Sequence, residues 1–319
     1  MKKIYFKVGL VCLFSGHILA QDCIIADYQF NANAQDTSGN NYHGIVNGAT
    51  LTNDRNGNAN GAYFFDGTGS YIELNSNNPI ILTTTFTIAA WGRIDGQGGG
   101  TFNESHIFIQ RKNTTGSTSA IGFKAKNSSG NIELAVRTTG NSVENIEYAA
   151  PSSGNWNHFV AVCTGDSLKL YLNGLFVAGK LFSQGGGDVT DIDYVDIGRA
   201  YYSGSLYGAF YGAMDDVKIY DCALTNREVL NLYSTGEHID GIEKLFSVFP
   251  NPTTDKIKIT SYYPSQKIKM ALYNSLGQEL QINVENNTID LSAFDKGIYY
   301  LLITDKKGDI QVTKKVMKI

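Results

Sequence analysis

Proline is scarce in this chain, with 5 residues in 319, and beyond the N-terminal segment no apolar run is long enough to cross a bilayer. Basic residues are outnumbered, 26 Lys plus Arg against 30 Asp plus Glu, giving a net charge of −4. A face that neutralises phosphates is therefore not expected, which excludes nucleic acid as a natural partner. The five histidines (His17, His43, His106, His158 and His238) show no His-x-x-x-His or similar metal spacing. A Gly-x-Ser-x-Gly nucleophile signature is also missing.

What is present is a strand-former's composition: 34 Gly, 19 Tyr and 42% hydrophobic residues. Such a chain builds a packed core, and its length has room for two domains. Lys2, Lys3 and Lys7 followed by the short apolar run Val8–Ala20 read as a secretory signal peptide over residues 1–20, cleaved after Ala20. The charge is split along the chain. Residues 21–244 carry 13 basic against 23 acidic residues, and residues 245–319 carry 10 Lys against 7 acidic residues. The mature chain keeps Cys23, Cys163 and Cys222, for which an oxidising compartment favours a bridge. Cys163 shares a strand face with Phe159 and Ala161 and reads as a buried thiol. If the two ends of the body meet, Cys23–Cys222 is the natural pair.

Short aromatic and branched segments separated by Gly, Asn, Asp and Ser predict an all-β body over residues 21–236. They are 24–30, 62–65, 71–74, 86–94, 107–111, 121–126, 132–137, 158–163, 168–172, 176–178, 195–197 and 217–220. Asn173-Gly174 is a type I′ hairpin signal. So many short strands imply a two-sheet sandwich. Thr225-Asn-Arg-Glu228 is a capping box that opens one helix, expected to plug an end of the sandwich. Residues 237–244 read as a linker. The tail, residues 245–319, alternates on its own: Ile257/Ile259, Ile268/Met270/Leu272, Leu280/Ile282/Val284, Tyr299/Leu301/Ile303 and Ile310/Val312. That pattern predicts a small second sandwich.

The tail motif Phe246-Ser-Val-Phe-Pro-Asn-Pro-Thr-Thr-Asp255, with Lys296-Gly-Ile-Tyr-Tyr300 and a lysine-dotted end, resembles the type A C-terminal sorting domain of type IX secretion. The resemblance implies export to the cell surface or medium through the periplasm, with the type IX machinery as partner. The body resembles LamG-like jellyroll domains of the concanavalin A-like lectin/glucanase superfamily. The residues that carry it are Ala26-Asp-Tyr-Gln-Phe, Asn60-Gly-Ala-Tyr-Phe-Phe-Asp-Gly67, Phe86-Thr-Ile-Ala-Ala-Trp91, Trp156-Asn-His158, Leu168-Lys-Leu-Tyr-Leu-Asn-Gly174 and Asp215-Asp-Val-Lys-Ile-Tyr220. The fold implied is a jellyroll of two antiparallel sheets with the first and last strands side by side, which supports the Cys23–Cys222 pair.

Glucanase relatives place paired carboxylates on one strand as Glu-x-Asp-x-Glu or Glu-x-Asp-x-x-Glu, about 5 Å apart across the scissile bond. This chain has neither spacing, so no catalytic residue is assigned and a non-enzymatic role is expected. Relatives with the opening motif often hold a structural Ca²⁺. Carried over, Asp36 and Asp215 would give side-chain oxygens, and Gly39 and His43 backbone carbonyls. The plainer reading is that Asp36 and Ser38 form an Asx-turn. For ligand contact, Tyr201, Tyr202, Tyr207 and Tyr211 sit among small residues in 199–212, read as a recognition loop. Trp91 and Trp156 are assigned to packing, and Asp95-Gly-Gln-Gly-Gly-Gly100 to a mobile connection. The function expected is an exported binding or adhesion protein holding glycan or a surface protein; the alternative is a secreted hydrolase.

Overall fold

The computed structural model describes residues 23–74, 80–102, 104–111, 119–126, 129–137, 142–182, 194–202, 205–234, 246–261, 268–304 and 311–319. The expected signal peptide (1–20) and linker (237–244) lie outside the described residues.

The body strands are β1 (Ile24–Tyr28), β2 (Ile45–Asn47), β3 (Thr50–Thr52), β4 (Ala62–Asp66), β5 (Tyr71–Glu73), β6 (Thr85–Ile94), β7 (Glu104–Arg111), β8 (Ser119–Lys126) and β9 (Asn131–Arg137). They continue as β10 (Val143–Ala149), β11 (Trp156–Thr164), β12 (Ser167–Leu172), β13 (Leu175–Leu181), β14 (Tyr194–Ile197), β15 (Arg199–Tyr202), β16 (Ser205–Ala209) and β17 (Tyr211–Tyr220), before helix α1 (Asn226–Ser234). An eight-stranded sheet runs β13-β12-β11-β6-β17-β4-β3, with β1 paired to β17, and faces a seven-stranded sheet β10-β9-β8-β7-β14-β5-β2. Alternation decides which side chains meet between them. In β11, Phe159, Ala161 and Cys163 enter the inter-sheet core with Phe86, Phe108, Phe123 and Phe210. Val160 and Val162 point the other way, toward Val229 of α1.

The helix thus lies on the outer face of the eight-stranded sheet, not over the end of the sandwich. Its amphipathic pattern requires an apolar partner but does not say which, and the outward stripe Ala89, Val160, Val162, Tyr171 and Tyr220 is what it covers. The capping box forms: the Glu228 carboxylate accepts from Thr225 N–H at 2.8 Å, and Thr225 Oγ1 accepts from Glu228 N–H at 3.3 Å. Asn173 and Gly174 have φ of 52° and 76°, as the β12–β13 hairpin turn demands. β1 lies antiparallel to β17, and Cys23 bonds Cys222 across the domain ends. Cys163 is a buried free thiol whose Sγ–H donates to the Thr84 carbonyl.

The described residues of 199–212 are not a loop. They form the hairpin β15–β16 and the start of β17. Nor is the glycine run at 95–100 a loose connection. Gly99 N–H donates to the Gly67 carbonyl, Ala209 N–H to Gly99, and Phe102 N–H to Tyr207, so the run lies against β16. The glycines permit that approach: a Cβ on Gly98 would sit 1.6 Å from the Ala209 carbonyl oxygen.

The tail adds β18 (Phe246–Phe249), β19 (Lys256–Ser261), β20 (Lys269–Asn274), β21 (Glu279–Leu280), β22 (Val284–Glu285), β23 (Thr288–Asp290), β24 (Gly297–Thr304) and β25 (Gln311–Lys318). Two four-stranded sheets, β18-β19-β23-β22 and β21-β20-β24-β25, enclose Ile257, Ile259, Leu272, Ile289, Leu301, Ile303 and Val316. Leu280 and Val284, expected on one strand, belong to different sheets. Leu230 of α1 and Leu175 of β13 also lie against this second core. The sorting motif closes on the chain's last strand. Asn251 donates to the Lys315 carbonyl and accepts from Met317 N–H, and Thr253 N–H donates to Met317. Lys318 is buried, and its ammonium donates to the carbonyls of Leu291, Ser292 and Phe294.

Candidate functional site

Asp36 shapes the opening loop. Its Oδ1 accepts from the N–H groups of Asp27 and Ser38, both at 2.9 Å, and its Oδ2 accepts from Ser38 Oγ–H at 2.9 Å and Tyr42 N–H at 3.0 Å. Burial raises this carboxyl, but those donors outweigh it and hold the group below the usual carboxylate range. The His43 ring joins the same loop, with Nδ1 accepting from Asp36 N–H at 3.1 Å. Gly39 takes φ of +95° in the turn. Asp215 is elsewhere engaged: Arg55 Nη1 is 2.7 Å from its Oδ2, and Asp216 N–H donates to its Oδ1. Burial and the neighbouring Asp216 charge push Asp215 up to about 7 against the pull of Arg55. The proposed Ca²⁺ set does not fit the ion as arranged. A carboxylate has about four lone-pair sites, Asp36 spends all of them on protein donors, and Asp215 faces a cation. Among the described residues no three His, Cys, Asp or Glu side chains gather as a metal group.

Three of the expected tyrosines, Tyr201, Tyr207 and Tyr211, come to one edge of the sandwich, built from β15–β16 and the glycine run, and each has its own neighbour. Tyr207 packs against Phe102 with ring centroids 4.9 Å apart. Arg199 lies over Tyr201 and Tyr71. Tyr211 meets Phe64 edge-on at 6.0 Å. The Tyr202 side chain lies outside the described residues. Phe102 (55% exposed), Tyr201 (38%) and Tyr211 (37%) present open ring surface, so the edge is a set of separate aromatic platforms on a hydrogen-bonded scaffold. Phe102 was not singled out in the sequence; the signal was an aromatic following a glycine run. Trp156 packs under Arg93 at 5.6 Å, and Trp91 is half-buried on the outer face beneath Arg55 at 4.7 Å.

A second feature was invisible in the linear sequence. On the outward face of the seven-stranded sheet, His106, Lys124, Glu133 and Glu147 form one cross-strand row. Glu104 and Glu133 share Lys124 at 2.9 and 3.3 Å, and Glu133 and Glu147 share Lys126 at 3.2 and 2.8 Å. Burial opposes the charge on Glu104, yet His106 and Lys124 hold it down at about 2. Hydrogen bonds from Asn131 and Lys126 do the same for Glu147. Neither stays protonated at neutral pH, as a general acid must. Asp196 differs. It is fully buried beside Arg199, and burial pushes it up to about 6.

The sequence of residues 66–230, just over half of the chain, matches the family model of the concanavalin A-like lectin/glucanases superfamily. The chain belongs to this superfamily. Residues 247–319 match a secretion system C-terminal sorting domain, so this lectin-like chain is delivered by type IX secretion to the cell surface or medium. No helix among the described residues is long and apolar enough to cross a membrane. No curated protein matches the chain in sequence. Several solved structures share its fold. Domain 4 of AbnA, a GH43 extracellular arabinanase from Geobacillus stearothermophilus solved with arabinotriose, has 19% identity and a TM-score of 0.52, covering 66% of this chain and 98% of that one. The binding domain of Paraclostridial Mosquitocidal Protein 1 has 17% identity and a TM-score of 0.53, covering 89% of this chain and 64% of that one. The binding domain of Botulinum neurotoxin serotype D has 16% identity and a TM-score of 0.50, covering 93% and 73%. At these identities the likeness is one of fold.

Proposed function

We propose that the lectin-like body is a non-catalytic glycan-binding module that the tail carries to the surface or medium, where it holds carbohydrate or a glycosylated surface protein. The observation that carries this reading is the aromatic edge. Phe102 and Tyr207 form a ring pair beside Tyr201 and Tyr211, on a backbone tied by main-chain hydrogen bonds. A pyranose or furanose ring has an apolar side that such faces cover, and rigid anchors lose little entropy on binding. The AbnA domain, solved with a trisaccharide, supports the ligand class. The charged row supports the absence of catalysis, because its carboxylates are neutralised by Lys124 and Lys126. A glycan array probed with the exported chain tests the reading; binding to at least one glycan family is expected, without release of reducing sugar.

One observation favours a hydrolase as the second reading. Asp196, with its raised pKa, stands opposite Glu73 in cross-strand register. Its burial and its pairing with Arg199 weigh against contact with a substrate. Sugar release abolished by Asp196→Asn would establish this reading in place of the first.

A further inference from the structure

A polar pocket of about 210 Å³ opens on the outer face of the eight-stranded sheet, the face opposite the charged row, and is lined by Gln29, Trp91, His158, Asp216, Lys218 and Leu232. Three features set it apart from an incidental surface dent. First, His158 is 2% exposed, and among the described residues its Nδ1 has no hydrogen-bond partner. A buried polar atom left without a partner costs about 1–3 kcal/mol, which a ligand group in the pocket would recover. Second, the pairing of β17 with β6 shifts register between Asp215 and Lys218, and Asp216 takes φ of 46°. Non-glycine residues avoid that region, and bulges there re-aim side chains. Third, Arg55 bridges Asp215 and Asp216 at 2.7 and 2.5 Å while lying over Trp91, which Tyr233 stacks against at 5.5 Å. The wall is therefore fixed before any ligand arrives.

We infer that this pocket binds one small uncharged polyhydroxylated ring, a single neutral sugar residue. The lining decides the class. It presents one cation, Lys218, and one anion, Asp216, so neither an anion nor a cation finds a matching field. Burial, with the charges of Arg55 and Lys218, drives the His158 pKa down to about 3, so its ring is neutral and offers one donor and one acceptor. Lys218 gives one hydrogen to Asp27 and keeps two for a ligand, and Gln29 both donates and accepts. Vicinal hydroxyls, each donor and acceptor at once, satisfy this mixture. The volume falls below the roughly 300–1,000 Å³ of drug-sized sites, so one ring enters and a chain does not. This site is separate from the aromatic edge proposed above and stands or falls independently of it.

The chain has two tryptophans, Trp91 and Trp156, so in the Trp156→Phe variant of the full chain fluorescence reports on the pocket wall. Titration with D-glucose, D-galactose and L-arabinose should give a saturable change with at least one of them. Gln29→Ala, at an exposed position, should weaken that sugar about tenfold, and Phe102→Ala/Tyr207→Ala should leave it unchanged. The His158 ring ¹⁵N signals should shift on saturation. No saturable change with any of the three sugars up to roughly 100 mM overturns the proposal. So does saturation by glycine alone, or a sugar response that Gln29→Ala leaves intact.

Discussion

Asp36 shows how one side chain can be read two ways from sequence and one way from its surroundings. Its two oxygens accept four hydrogen bonds that tie β1 to the opening loop. Removing it strands several donors, so Asp36→Ala should cost about 2–4 kcal/mol. Thermal melting of the variant measures that. EGTA should leave the melting temperature of the wild type unchanged, because a resident ion would add stability by mass action. A fall on chelation would restore the Ca²⁺ set of Asp36, Asp215, Gly39 and His43. The ambiguity was inherent: oxygen-rich loops suit both Ca²⁺ and Asx-turns, and only the donors facing each oxygen separate them. Phe102 makes the opposite case. Its one mark in the sequence is the glycine run before it, and the structure gives that mark meaning by laying Phe102 beside Tyr207.

At the scale of elements, the disulfide links residues 199 positions apart and holds β1 against β17. Closing a loop of that length removes unfolded-state entropy worth about 5 kcal/mol in the chain-entropy model. Alkylation of the denatured, unreduced mature chain should label Cys163 alone, and reduction should lower the melting temperature. Labelling of three thiols would contradict the pairing. Most body strands were legible because their alternation is set by burial on one face, as in Phe159-Val-Ala-Val-Cys163. The hairpin β15–β16 was not, since Arg199–Gly212 is rich in glycine and tyrosine, and its pairing partner is a glycine backbone that leaves no side-chain pattern. The site of α1 was hidden for a related reason. An amphipathic helix announces that it covers something, while the stripe it covers is assembled from four strands, β6, β11, β12 and β17.

At the scale of the molecule, acid should be the effective denaturant. Asp66, Glu104 and Glu147 have pKa values of about 2 in the folded protein, below their ordinary carboxylate values. Their folded values are depressed, so their stabilisation is complete above about pH 5 and disappears as pH falls toward 2. Melting temperature against pH should drop steeply across that window; a flat profile would contradict the network. The acidic body and lysine-rich tail each build their own core, joined where Leu230 and Leu175 of the body lie against the tail's, which suits an address carried by one and a binding surface presented by the other. The central claim is that the aromatic edge binds glycan without catalysis. Its most direct test is binding of the exported chain and of Phe102→Ala/Tyr207→Ala to the same glycan array, with reducing-sugar release followed in parallel. The account predicts binding by the wild type, at least about tenfold weaker binding by an equally stable variant, and no sugar release. Binding that the double variant retains in full, or sugar release that Asp196→Asn abolishes, would contradict it.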